Sequence, residues 1–148
     1  MEELLDLHEA LVQRRYEDAL EIVEEMTAMA RKDIINKINS FVEVLLIHLI
    51  KCHAEQRTTH SWTTSIIAAL AGIRRHNARD TQKGTYLDTQ GFQEQIDEAW
   101  SLALRKASLE VFGGKYSPRE FARIVDAEVV KAQALDYILN GYPTDEDI

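Results

Sequence analysis

Leu45-Leu46-Ile47-His48-Leu49-Ile50-Lys51 is the stretch whose reading decides the fold. It overlaps the most apolar run of the chain, residues 41–50, where only Glu43 and His48 are polar. Ten residues cannot cross a bilayer, which takes about 20, so the run reads as a buried helix. Ile34, Ile38, Phe41, Leu45, His48 and Cys52 follow one another at steps of three and four, the spacing of one helix face. Ile35, Val42, Leu46, Leu49 and Ile50 widen that stripe over most of the circumference. A helix apolar nearly all round is normally enclosed by others. The expectation is therefore an all-α, single-domain bundle, residues 1–148, of about five to seven helices around a central one at roughly 34–55.

The flanking sequence supports helices on both sides. No proline precedes Pro118 and no glycine precedes Gly72, so little interrupts a helix in the first half. Residues 2–13 and 16–30 each carry apolar side chains at helical spacing, and the join at Arg14-Arg15 need be no more than a kink. Asp33 or its neighbours then lead into the central helix. Thr59 or Ser61 can cap the next helix through a side-chain oxygen, with Trp62, Ile66, Leu70 and Ile73 on its inner face. Residues 80–90 lack periodicity and read as a loop. From Gly91 or Phe92 to Phe112, a helix would bury Phe92, Ile96, Trp100, Ala103, Ala107 and Val111. Gly113-Gly114 ends it, and Ser117-Pro118-Arg119-Glu120 has the cap, first-turn proline and returning glutamate of a capping box. One or two helices follow to residue 139. Residues 140–148 form an acidic, possible tail.

Charge narrows the function classes. The formal charge is −8, which argues against a general polyanion binder. It is segregated: −7 over residues 1–30, +4 over 31–90 and −5 over 91–148. A basic middle between acidic ends either marks an anion-contacting face or is neutralised within the fold. Cys52 is the only cysteine, so no internal disulfide forms and a cytoplasmic protein is the simplest reading. Met1-Glu2-Glu3 lacks the basic region of a secretory signal.

Four sets of side chains invite a chemical reading. His48 and Cys52 share a helix face, with His53 and His60 nearby, but a full zinc set is missing from the local sequence. No metal and no cofactor is expected. His48, Lys51, Arg57, His60, Ser61 and Trp62 form a candidate polar or anion site, because free N–H groups at a helix start and a neighbouring arginine attract negative charge. The favoured readings are plainer: His48 as a hydrogen-bonded core histidine, Lys51 as a snorkelling side chain, and Thr59 and Ser61 as caps. Arg74, Arg75, Arg79 and Lys83 make the densest basic surface and could contact phosphates. Arginines in a last helical turn also complement the helix dipole, no aromatic lies among them to stack bases, and a nucleic-acid partner is not favoured. No nucleophile–base pair is identifiable, so no catalytic residue is assigned and the balance leans away from an enzyme.

Leu45, Leu46, His48, Leu49 and Lys51, followed by Ser61, Trp62 and Ile66, resemble a family of small, mainly cyanobacterial proteins called domain of unknown function 29. The family pattern is Leu-Leu-x-His-Leu-Leu-Lys, an arginine-rich stretch, then Ser-Trp-x-x-Thr-Ile; here Ile50 and Ser65 are substitutions. Arg15-Tyr16-Glu17 and the acidic run to Glu25 are similar as well, so the resemblance covers roughly residues 8–110. Two departures stand out: Cys52 where the family has an aromatic or aliphatic residue, and no proline- and aromatic-rich ending after Gly114. The resemblance implies an all-helical fold and no activity or cofactor. The leading expectation is a non-enzymatic interaction or regulatory module with a protein partner or as a homodimer, and no membrane. The alternative is a small-anion-binding protein or enzyme built on His48, Lys51, Arg57 and Ser61; the third is nucleic-acid contact through residues 74–83.

Overall fold

The computed structural model describes residues 2–79 and 84–143. Lys83, part of the expected loop, and residues 144–148 of the expected tail lie outside them. The described residues form six α-helices: α1 (Glu2–Val12), α2 (Tyr16–Glu55), α3 (His60–Asn77), α4 (Thr89–Glu110), α5 (Pro118–Ile124) and α6 (Ala127–Asn140). A 3₁₀ turn (Val111–Gly114) follows α4. Among the described residues the only extended pairing is one bridge between Ala78 and Thr85. The all-α bundle with a central helix is what the apolar run implied. The central helix is longer than expected, however. Asp33 does not start it, because residues 16–55 contain neither proline nor glycine, and a mid-helix aspartate costs only a few tenths of a kcal/mol (~0.7 at most).

The contacts group the chain into residues 1–36 and 37–148. The first unit is a helical hairpin. Its turn is tight because Arg14 adopts φ 59°, letting Arg14 N–H reach Leu11 O at 3.1 Å and Arg15 N–H reach Ala10 O at 2.8 Å. That pair of bonds is the Schellman arrangement, usually built on glycine. Arg15 braces it through Asp18 at 3.0 Å and Gln13 at 2.9 Å. The join is thus a full helix stop, not a kink. Ala10 and Ala19 are the buried residues here; both are small.

In the second unit α2 buries Ile38, Val42, Leu45, Leu46, Leu49 and Ile50. At roughly 1.5–3 kcal/mol for each fully buried aliphatic side chain, this face dominates the core. His48 and Cys52, expected in the central stripe, stand half-buried at its margin. α3 crosses α2 where Gly72 faces the Phe41 ring: a Cβ at Gly72 would lie 2.7 Å from two of its carbons. α4 contributes Phe92 and Ile96 and then a stripe of Ala99, Ala103 and Ala107, and packs against α5 and α6. The capping box at α5 forms as read: Glu120 N–H donates to Ser117 Oγ at 3.2 Å and Ser117 N–H to Glu120 Oε1 at 3.4 Å. Phe121 behind it is completely buried.

Candidate functional site

Thr59, not Ser61, caps α3: its Oγ1 accepts the Trp62 N–H at 3.1 Å. Fixing that turn sets Trp62 beside the end of α2. Lys51 lies over the Trp62 ring, 5.7 Å from its centroid, and the Arg57 guanidinium sits 5.0 Å from the same centroid. Both cations also hold carboxylates. Lys51 Nζ pairs with Glu110 at the end of α4, and Arg57 pairs with Glu55 at 2.8 Å. Lys51, expected to reach water, is instead buried to 7% exposure, because the indole and the pair to Glu110 satisfy its head group at depth. Two cations and two carboxylates cancel, so the group has no net charge to offer an anion.

Glu55 has a second task. Its Oε2 accepts the Phe112 N–H at 3.2 Å, where Phe112 turns through φ 51° to end α4. The Phe112 N–H first, then the Arg57 guanidinium, hold the Glu55 carboxyl below the ordinary glutamate pKa. A depressed carboxyl stabilises the fold above its ordinary value and loses that contribution as pH falls through the folded-state value. Glu55→Gln is therefore expected to lower the urea midpoint at neutral pH and to converge on wild type as pH falls through the depressed folded-state value. A gap that stays constant with pH would contradict the assignment.

His48 does not join this group. Its Nδ1 bonds the Val44 carbonyl one turn back at 2.8 Å, and its ring borders a recess of about 330 Å³ shared with Ile47, Lys51, Lys106, Leu109 and Glu110. That recess contains His48 and Lys51 but neither Arg57 nor Ser61. His60 and Ser61 are exposed. Cys52 Sγ lies 3.6 Å from Thr58 Oγ1. His53 is occupied elsewhere: its Nε2 accepts the Asp126 N–H at 3.1 Å, at the start of α6. Among the described residues no three His, Cys, Asp or Glu side chains gather as metal ligands would.

Of the basic surface, Arg74 and Arg75 stand beside the end of α6, whereas Arg79 lies over Tyr86 at 5.1 Å. An aromatic therefore does neighbour the cluster, three residues beyond the stretch read for one. Asn77, which drew no notice in the sequence, is buried and organises the loop: its amide donates to Leu87 O at 3.1 Å and its carbonyl accepts the Leu87 N–H at 2.7 Å. The signal was an asparagine at a helix end facing a loop, too common to single out.

The residues that carried the resemblance are now placed: Lys51 over the Trp62 ring, His48 in the recess beside Lys51 and Ser61 at the surface. A family pattern described as Domain of unknown function DUF29 matches residues 6–128. The chain belongs to the DUF29 family. The match begins in α1 and ends in the first turn of α6, so it extends past the 8–110 read from the motifs. No curated protein and no solved structure matches the chain. Within this DUF29 protein, no helix among the described residues is long and apolar enough to cross a membrane.

Proposed function

We propose that this DUF29 protein is a non-enzymatic interaction module that engages a protein partner through the hairpin of α1 and the start of α2. The observation that carries this reading is the exposure of that hairpin. Leu4, Leu5, Leu11, Val12, Tyr16, Leu20, Val23 and Met29 are all exposed there, Leu5 at 70% and Val12 at 69%. The remaining exposed large apolar side chains among the described residues are also eight, but they are spread over a unit about three times as long. Leu4, Leu5, Leu11 and Val12 occupy an arc of about 120° on α1 at 100° per residue. Tyr16, Leu20 and Val23 recur at steps of four and three on α2. Clustered exposed apolar residues with a polar rim are the mark of an interaction surface.

The rim supplies the partner's chemistry. Nine acidic and two basic side chains in residues 1–30 favour an amphipathic helix with basic flanks, docking its apolar face as helices do in grooves. Two copies of the hairpin would bring −7 against −7, which disfavours a homodimer through this face. The neutral Lys51–Trp62–Arg57 group, by contrast, has its cations already paired, which favours a structural role for it over an anion site. The lone cysteine suits a cytoplasmic setting.

The test uses a fluorescent peptide of leucine and lysine designed as an amphipathic helix, titrated with wild type and with a Leu5→Glu, Val12→Glu, Leu20→Glu variant. Binding is expected to be saturable, to weaken with salt, and to be lost in the variant. A wild-type dimer that the variant converts to monomer would overturn the basic-partner chemistry. Equal peptide binding by both proteins would overturn the surface itself.

A further inference from the structure

A second surface of different character lies between the last two turns of α3 and the end of α6. It is a cleft of about 360 Å³, at the small end of the roughly 300–1,000 Å³ typical of small-molecule sites. Its floor is aliphatic, with half-buried Leu70 from α3 and Ile138 from α6, and exposed Ile67 and Ala71 line its mouth. One rim is cationic and the other phenolic: Arg74 and Arg75 face Tyr137 and Tyr142. The tyrosine rings meet edge to face with centroids 5.4 Å apart, an arrangement that fixes both.

Three features distinguish this cleft from the neutral group around Trp62. Lys51, Arg57, Lys106 and Lys131 each hold a carboxylate, whereas Arg74 and Arg75 have no carboxylate partner among the described residues. The Tyr137 oxygen accepts a hydrogen bond from Gln133 Nε2 at 3.0 Å, which leaves its own proton to donate. Like any tyrosine, the phenol keeps its proton at neutral pH, and burial, above all, pushes it further up from its ordinary value. Gly141, at φ 88°, turns the chain out of α6 beside Arg74, whose Nη2 would lie in ordinary contact, 3.6 Å, from a Cβ there.

We propose that this cleft binds a small organic anion, a carboxylate carried on an apolar body, with Arg74, Arg75 and Tyr137 as donors and the aliphatic floor holding the body. A planar carboxylate matches the fork of a guanidinium, and the mostly apolar lining rewards burying a short hydrocarbon or ring. A nucleic-acid strand needs a track of cations along its backbone with stacking platforms. Here the two arginines are adjacent in the chain and border a short, largely apolar cleft, not a track. The cleft and the hairpin rest on separate observations, so either can fail without the other.

The decisive titration follows backbone amide NMR shifts of the full chain with octanoate, with octanol as the neutral analogue and inorganic phosphate as the headless anion. Octanoate is expected to shift Arg74, Gly141 and Tyr142, and to bind at least about tenfold more tightly than octanol or phosphate, the discrimination of one charge-assisted contact. An Arg74→Gln, Arg75→Gln variant should lose that advantage, and Tyr137→Phe should lose part of it with the same helical spectrum. Equal binding of octanol would reduce the cleft to a greasy groove. Phosphate binding as well as octanoate would make it a bare cationic patch. Binding of a single-stranded oligonucleotide that depends on the two arginines, with none of octanoate, would assign it to nucleic acid instead. Variants that lower only thermal stability would leave the arginines as partners of the two helix ends that meet there. Each of these four results overturns the proposal.

Discussion

Gly72→Val is expected to destabilise the protein by about 3 kcal/mol, the upper range for forcing extra carbons into a packed contact. Propensity alone points the other way, since replacing a mid-helix glycine normally gains up to about 1 kcal/mol. The contact decides the sign. A bare Cβ at this position would already stand 2.7 Å from Cε1 and Cζ of Phe41 and 2.8 Å from Cδ1. On one side the ring is met by His76, 5.4 Å away, whose own ring is tied to the Gly72 carbonyl at 2.8 Å. Valine adds two methyls beyond that Cβ and holds them in a stiff rotamer. Tryptophan fluorescence in urea measures the effect, and a thermal midpoint lower by about 10 °C is the matching expectation. A double-mutant cycle isolates the cause. With Phe41→Ala in place, Gly72→Val should cost much less than it does alone. An unchanged cost would mean that the glycine serves some need other than the crossing.

That crossing marks where the sequence stops being legible. The helix containing Gly72 could be read from Trp62, Ile66 and Ile73, because periodicity needs only local spacing. The reason for a glycine at position 72 lies in Phe41, 31 residues earlier, and no local pattern encodes it. Helix ends divide the same way. Ser117 and Glu120 announce their box because both partners sit within one turn, and Thr59 caps through its near neighbour Trp62. Arg14, Gln56 and Phe112 stop helices at positive φ without glycine, and at Arg14, with no glycine nearby, the sequence suggested only a kink. Their turns are held by other bonds: the hairpin turn by Arg15, the Phe112 turn by Glu55 from another helix.

The candidate site shows the same limit at the level of chemistry. His48, Lys51, Arg57 and Trp62 were identifiable as polar and aromatic residues gathered around one turn. What the spacing could not reveal is that Glu110 and Glu55 neutralise the two cations. An ion pair between α2 and α4 links residues 59 positions apart. Conversely Arg74 and Arg75 looked like an ordinary solvated helix end, because Tyr137 belongs to α6 and Tyr142 follows it, both far along the chain. Net charge along the sequence therefore misplaced the free cations. Within the basic middle, Lys51 and Arg57 are held by carboxylates, whereas Arg74 and Arg75 meet none among the described residues and border a cleft instead.

Asn77→Asp tests the loop that follows α3, and its expected cost is also about 3 kcal/mol. The substitution keeps the size of the side chain and keeps one acceptor for the Leu87 N–H at 2.7 Å. It removes the donor that satisfies the Leu87 carbonyl at 3.1 Å and sets a carboxylate oxygen against that carbonyl. Asn77 is only 8% exposed, so water cannot readily repair the loss. The expected consequence has a direction in pH. Acidification protonates the aspartate, restores a donor and relieves the repulsion, so the variant should recover part of its stability in acid relative to wild type. The repair would be felt beyond the side chain. The Asn77 carbonyl accepts the Tyr86 N–H at 3.0 Å, and Ala78 pairs with Thr85; both bonds depend on Leu87 being held. Amide hydrogen exchange at Tyr86 and Leu87 should therefore quicken in the variant at neutral pH, while amides in the middle of α4 keep their protection. Protection that falls equally along α4 would show that Asn77 supports the whole bundle and not the loop, since a local hinge releases only the groups it holds.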